Sequence, residues 1–255
     1  MSNVIITKLK TKKSYVNVIR DDLLSGGTKQ RGIIPFITKL QTKGIEEVVY
    51  ASPFCGFAQV ALARACNKVN MKCTIVAERD PYTKTFSDTS KQIKDIAQIY
   101  LENTLVEAEN IAIRYKNSSI APCIKIPLGL NHDLFKLYFK TALYELWINI
   151  CHQLDFTPDN VWIPFGSGTL AERFSLVITN PTNLICVDVG VSENAWNDSL
   201  IVKDPNIIYL KTNQPFHEPA VNLPEISSNK YYDAKLWDFV YNHAGHRDIW
   251  LNVGP

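Results

Sequence analysis

Trp162-Ile163-Pro164-Phe165-Gly166-Ser167-Gly168-Thr169-Leu170-Ala171 reads as a strand, a turn of glycines and hydroxyls, and the opening of a helix. That geometry aims backbone N–H groups and two hydroxyls at one point, where an anion is stabilised. No Gly-Lys-Ser/Thr follows, so the turn is not a nucleotide P-loop, and the third glycine of G-x-G-x-x-G is missing. Gly-Ser-Gly turns also punctuate ordinary strand-to-helix connections, so a phosphate site and a plain turn both remain open on these residues alone.

The same strand-to-helix rhythm runs outward in both directions. Tyr15 to Ile19, Val48 to Ala51, Cys73 to Ala77, Cys123 to Ile126, Val161 to Pro164, Leu184 to Val189 and Ile207 to Leu210 are short β-rich runs. Between them Ile33, Ile34, Ile37 and Leu40 form a helical stripe ending near Gly44, and Phe57 to Val69 forms a second helix of small apolar residues. The longest helical pattern starts with Asn131 as N-cap and carries Leu134, Leu137, Tyr138, Leu146, Trp147 and Ile150 on its buried side. Alternation of this kind predicts an α/β fold of parallel sheets flanked by helices. Thr212 to Lys230, dense in proline and turn residues, is expected to be a long loop, and such loops inside compact domains often carry function.

With 255 residues and 46% hydrophobic content, the chain can bury a sizeable core in one large domain or two lobes. Its 27 basic and 25 acidic residues are mixed along the chain and leave a net charge of +2, so no strong basic field recruits nucleic acid non-specifically. Lys8, Lys10, Lys12 and Lys13 are the one local concentration and are expected in a solvated tail. Cys55, Cys66, Cys73, Cys123, Cys151 and Cys186 form no C-x-x-C pair, which fits neither a disulfide framework nor a zinc site. The histidines show no ligand spacing, and no metal is expected. No apolar run reaches the roughly 20 residues that span a bilayer, and MSNVIITKLKTKK lacks the features of a secretory signal, so a cytoplasmic protein without a membrane partner is expected.

Two further motifs join the first. Ser25-Gly26-Gly27-Thr28-Lys29-Gln30-Arg31-Gly32 follows a strand and opens the isoleucine-rich helix, which places a lysine at a helix N-terminus. There the helix dipole disfavours an ammonium and favours a neutral amine, the form Schiff-base chemistry uses; a glycine turn with a surface lysine is the alternative. Ala51-Ser52-Pro53-Phe54-Cys55-Gly56-Phe57-Ala58-Gln59-Val60-Ala61 is a strand end entering a helix of small residues, with room for a flat ring or simply close helix-on-sheet packing.

In this order the motifs resemble the fold-type II pyridoxal 5'-phosphate (PLP) enzymes, the tryptophan synthase β-like family, and most nearly the branch of 1-aminocyclopropane-1-carboxylate (ACC) deaminase and D-cysteine desulfhydrase. The resemblance covers nearly the whole chain. Ser25 to Arg31 is similar to that branch's G-G-N-K-x-R, Pro127-Leu128-Gly129 to its P-x-G-G, Phe165 to Thr169 to its phosphate loop, Tyr231-Tyr232-Asp233-Ala234-Lys235 to its V-Y-E-G-K, and Ile249 to Gly254 to its final strand. It implies two interleaved lobes, a small one at 45–130 and a large one at 1–44 plus 131–255, with the cofactor in the cleft. It also implies a homodimer.

Carried over position by position, the resemblance makes Lys29 the Schiff-base lysine and assigns the PLP phosphate to Gly166, Ser167, Gly168 and Thr169. The resemblance likewise implies Tyr232 over the reacting carbon and Asp233 at the pyridine nitrogen, where an acid deepens the electron sink; on sequence alone Asp233 also reads as a helix N-cap. The family's serine-asparagine pair, which meets substrate carboxylate and cofactor hydroxyl, is replaced here by Phe54 and Cys55. Phe216 and His217, in the turn-rich segment, fall where the family places a second active-site aromatic.

These residues predict a PLP-dependent lyase or deaminase acting at the α or β carbon of an amino acid. The Phe54–Cys55 change prompts a second expectation: a decarboxylase or rearranging enzyme whose amino-acid substrate is attached to something larger, such as hypermodified thymine in phage DNA. A non-catalytic PLP-binding protein is the third.

Overall fold

The computed structural model describes residues 4–190 and 205–254. In chain order its elements are β1 (Ile6–Lys10), β2 (Tyr15–Arg20), α1 (Gln30–Thr42), β3 (Glu47–Ser52), α2 (Ala58–Lys68), β4 (Lys72–Glu78), α3 (Asp88–Lys91), β5 (Gln98–Glu102), α4 (Leu105–Ser118) and β6 (Cys123–Ile126). After these come α5 (Asp133–Leu154), β7 (Asn160–Phe165), α6 (Thr169–Ser175), β8 (Asn183–Asp188), β9 (Ile207–Leu210), α7 (Trp237–His243) and β10 (Ile249–Asn252). The chain divides into two compact units, Met1–Thr28 with Lys140–Pro255, and Lys29–Phe139.

The first unit is built on a six-stranded sheet of order β1-β2-β10-β7-β8-β9, parallel except for the β1–β2 pair. Val16 and Val18 of β2, Trp162 of β7, Val187 of β8 and Trp250 of β10 present side chains to Leu236, Trp237 and Val240, and all are buried. The Trp237 and Trp250 rings stack at 5.8 Å between centroids. Side chains of this size contribute about 1.5–3 kcal/mol each when fully buried. The lysine-rich N-terminus is not a solvated tail: Lys8 and Lys10 lie exposed in strand β1 while Leu9 is buried. The alternation was present in the sequence, and lysines on an edge strand discourage further strand pairing.

The second unit has a four-stranded parallel sheet of order β5-β4-β3-β6. Its central strand β3 is buried at every position, which is why it reads as a continuous apolar run rather than an alternating one. Ala108 and Ala112 of α4 pack on Val49, Ala51 and Val76. The start of α4 is fixed by a capping box in which Thr104 accepts from the Glu107 amide and Glu107 accepts from the Thr104 amide.

Helix α5 begins later than the Asn131 cap predicts. Asn131 closes a 3-10 turn at Leu128–Leu130, and His132 caps the helix, its Nδ1 accepting from the Leu134 amide at 3.2 Å. Burial holds the His132 pKa below its ordinary value, which favours the neutral ring that can accept this bond. Near this point α1 and α5 approach closely: a Cβ on Gly32 would come within 2.7 Å of the Phe139 Cα. Because backbone cannot yield as a side-chain tip can, Gly32→Ala is expected to cost about 1–3 kcal/mol, read as a lowered urea midpoint with an unchanged slope.

Candidate functional site

In the first unit, β7 ends at Phe165 and the chain turns through Gly166, Ser167 and Gly168 into α6. Gly168 occupies the N-cap position at φ +78°, which an L side chain adopts only with strain, although a Cβ there would have ample room. Gly166 is glycine for the opposite reason. A Cβ on it would lie 2.6 Å from the Tyr232 hydroxyl and 2.9 Å from the ring edge, so Tyr232 rests directly on this turn. The structure thus brings two motifs together that lie 66 positions apart in the chain. Gly166→Ala is expected to push the Tyr232 ring away while leaving the fold intact, read as a changed tyrosine signal in near-ultraviolet circular dichroism with little change in the melting temperature.

Tyr232 and Asp233 are held by the end of β10. Asn229 donates its amide to the Gly254 carbonyl at 3.1 Å, and the Asn229 carbonyl accepts the amides of Tyr232 and Ala234, each at 3.0 Å. Asn252 reinforces the attachment through bonds to Ser227 and Ser228. Asp233 opens a 3-10 turn, Asp233–Leu236, but its side chain does not cap that turn: Oδ1 accepts the Val253 amide at 2.8 Å, and the residue is completely buried. The Val253 carbonyl in turn accepts the Thr28 amide at 2.9 Å. One residue of β10's tail therefore links Thr28 to Asp233. The Thr28 hydroxyl is buried and has no hydrogen-bond partner among the described residues.

Lys29 follows directly in the chain and belongs to the second unit, where it is half-buried at the N-cap position of α1. Phe54 and Cys55, in the loop between β3 and α2, are both buried. A polar network grips this loop from behind: Thr89 Oγ1 donates to the Phe54 carbonyl at 2.6 Å, Gln59 Nε2 donates to Thr89 at 3.0 Å, and Ser90 donates to Gln59 Oε1 at 3.1 Å. Gln59 was the readable sign of this, an amide among the small apolar residues that open α2.

Phe216 and His217 fall in the first unit, Phe216 half-buried and His217 exposed. The long turn-rich segment around them contains no helix or strand between Leu210 and the turn at Asp233. Among the described residues no group of three or more metal-ligating side chains gathers, and no helix is long and apolar enough to cross a membrane.

No family model and no curated protein matches this chain. Solved structures do. An ACC deaminase homologue aligns with a TM-score of 0.77 at 16% identity, covering 100% of this chain and 90% of that one. A hydrogen sulfide-producing enzyme from Fusobacterium nucleatum aligns at 0.73 with 14% identity over 99% and 95%. A pyridoxal 5'-phosphate-dependent aspartate racemase aligns at 0.65 with 11% identity over 98% and 89%. The fold is that of the fold-type II PLP enzymes: mixed α/β, with parallel sheets flanked by helices.

Proposed function

We propose that the protein is a PLP-dependent lyase or deaminase acting at the α or β carbon of an amino acid. The observation that carries this reading is the bonded series from Thr28 through Val253 to Asp233. It ties the residue beside the cofactor lysine to the buried acid through a single backbone unit. The residues present fit PLP: the buried Thr28 hydroxyl has its bonding capacity to spare, Asp233 is sequestered from water, and the Gly166–Thr169 turn enters α6 through a left-handed glycine. Bound there, PLP supplies an electron sink for a carbanion at the substrate.

Each chain residue then has a definite task. Lys29 would hold the cofactor through Nζ, and Lys29 or Tyr232 would be the group that moves the Cα or Cβ proton. Asp233, its orientation fixed by the Val253 amide, would keep the pyridine nitrogen protonated. Gly166, Ser167, Gly168 and Thr169 would receive the phosphate, and Tyr232, seated on Gly166, is positioned by the same turn. By the resemblance, Cys55 would belong to the cofactor's surroundings, and Phe54, Phe216 and His217 to those of the substrate.

A second reading rests on Phe54 and Cys55. Neither offers the hydroxyl or amide that grips a free amino-acid carboxylate, which suits an amino acid already attached to a larger molecule, hypermodified thymine in DNA included, and a decarboxylation or rearrangement in place of deamination. Under either reading we place the protein in the cytoplasm as a homodimer.

The experiment is an absorbance titration of the purified protein with PLP, followed by a panel of D- and L-amino acids, ACC and amino-acid-modified nucleosides. A band at the edge of the visible, shifted by a free amino acid with turnover, supports the lyase reading; a shift with modified nucleosides alone selects the second. A band without any turnover means a PLP-binding protein that is not an enzyme, and absence of the band refutes all three.

A further inference from the structure

Lys235 is buried, 3% exposed, and its ammonium is surrounded by main chain. Nζ donates to the carbonyls of Val189 at 2.8 Å, Pro215 at 2.7 Å and Phe216 at 3.4 Å, and it lies 5.9 Å from the centre of the Phe216 ring. An ammonium has three N–H donors, and here three carbonyls receive them. Burying a charge in this way is unfavourable unless such bonds compensate, so a lysine at this position points to a requirement that an apolar side chain would not meet. The carbonyls come from two separate stretches, the end of β8 and the turn at 214–216.

The same two stretches also touch directly. Gly190 has φ +92°, its carbonyl accepts the Phe216 amide at 3.2 Å, and its amide donates to Asp188 Oδ1 at 2.9 Å. A Cβ on Gly190 would lie 2.3 Å from the Gln214 carbonyl oxygen and 2.5 Å from the Phe216 nitrogen. The turn is therefore pressed against Gly190 and fastened there by Lys235. The fastener sits in the 3-10 turn that Asp233 opens, two positions beyond Asp233 and three beyond Tyr232.

We propose that Lys235 is a positioning residue for substrate recognition: it couples the Phe216–His217 wall to the turn bearing Tyr232 and Asp233, so that pocket shape and reacting groups are set by one rigid piece. The proposal rests on the PLP-enzyme reading for its consequence in catalysis, but the coupling itself is a property of this chain alone. Its chemistry specifies the outcome of substitutions. Lys235→Met keeps the length and loses the three donors, Lys235→Arg keeps charge and donors, and Gly190→Ala dislodges the turn from the other side with Lys235 intact.

The test compares these variants with the wild type by hydrogen exchange across residues 205–222, by the cofactor band, and by KM and kcat on whichever substrate shifts that band. Expected are rapid exchange at the Phe216 amide in Lys235→Met and Gly190→Ala, partial recovery in Lys235→Arg, an intact cofactor band, and kcat/KM lowered about 10²-fold with most of the loss in KM. If Lys235→Met does not fold, Gly190→Ala and Lys235→Arg supply the same comparison. Unchanged exchange in this segment overturns the coupling whether or not the cofactor binds. Faster exchange with KM and kcat unaltered reduces Lys235 to a structural role and overturns the proposal. A wild type without a cofactor band refutes the PLP reading separately and, with it, the catalytic half of the proposal.

Discussion

On the proposed PLP reading, Lys29→Ala is expected to abolish the visible-edge band and to reduce turnover by at least about 10³-fold, within the range that a positioned proton-transfer group supplies. The fold should survive. Lys29 stands at the first turn of α1 and is half-buried, whereas the residues that hold this helix in place, Gly32, Ile33, Phe36 and Ile37, lie on its packed face. At that N-cap position the Lys29 side chain makes no capping bond, so alanine removes none. The variant should therefore melt near the wild-type temperature while lacking the band. A variant that retains both the band and activity would place the cofactor on another lysine.

Asp233→Asn carries the second large effect, because it separates charge from structure. The amide oxygen of asparagine can still accept the Val253 amide that Asp233 Oδ1 accepts at 2.8 Å, so the end of β10 and its bond to Thr28 should persist. What disappears is a negative charge in a site closed to water, where its effect on a ring nitrogen is largest. On the same proposed reading PLP should still bind, and turnover should fall about 10²–10³-fold, as for loss of other preorganised electrostatic groups. Asp233→Ala provides the contrast: it leaves a buried amide without its acceptor and should add a stability loss of about 1–3 kcal/mol that the asparagine variant does not show. Equal turnover in Asp233→Asn and the wild type would remove Asp233 from the chemistry.

The interior strands were legible because parallel strands buried on both faces are continuous apolar runs, and the half-buried edge strands β6 and β9 because their residues are still mostly apolar. Each expected strand is found with ends that differ by no more than one residue from those read off the sequence. β1 and β5 were missed for the opposite reason. They are edge strands, with half their residues polar, and Ile6–Lys10 in particular carries lysines that suggest a tail. α4 escaped notice although its capping box, Thr104 with Glu107, is written in the sequence. At α5, asparagine is a better N-cap than histidine by propensity, yet the 3-10 turn at Leu128–Leu130 uses Asn131 to end itself and leaves His132 to begin the helix.

For the site, the local motifs were readable and their connections were not. Strand-turn-helix punctuation marks Gly166–Thr169 and Lys29, but nothing local shows that Tyr232 lies on Gly166, that Val253 joins Thr28 to Asp233, or that Lys235 reaches the carbonyls of Val189 and Pro215. These are long-range contacts made by backbone groups, which have no sequence signature of their own. Asp233 illustrates the limit: an aspartate at the start of a helical turn has two ordinary uses, and only the direction of its carboxylate, toward Val253 and not toward its own turn, separates them.

The most direct test of the central claim is borohydride reduction of the PLP-treated protein followed by peptide mass mapping. Reduction fixes a covalently held cofactor to the lysine that bears it. The account predicts one label per chain, on the peptide containing Lys29, and none in Lys29→Ala. Absence of label, or label distributed over exposed lysines such as Lys8 and Lys10, would contradict it.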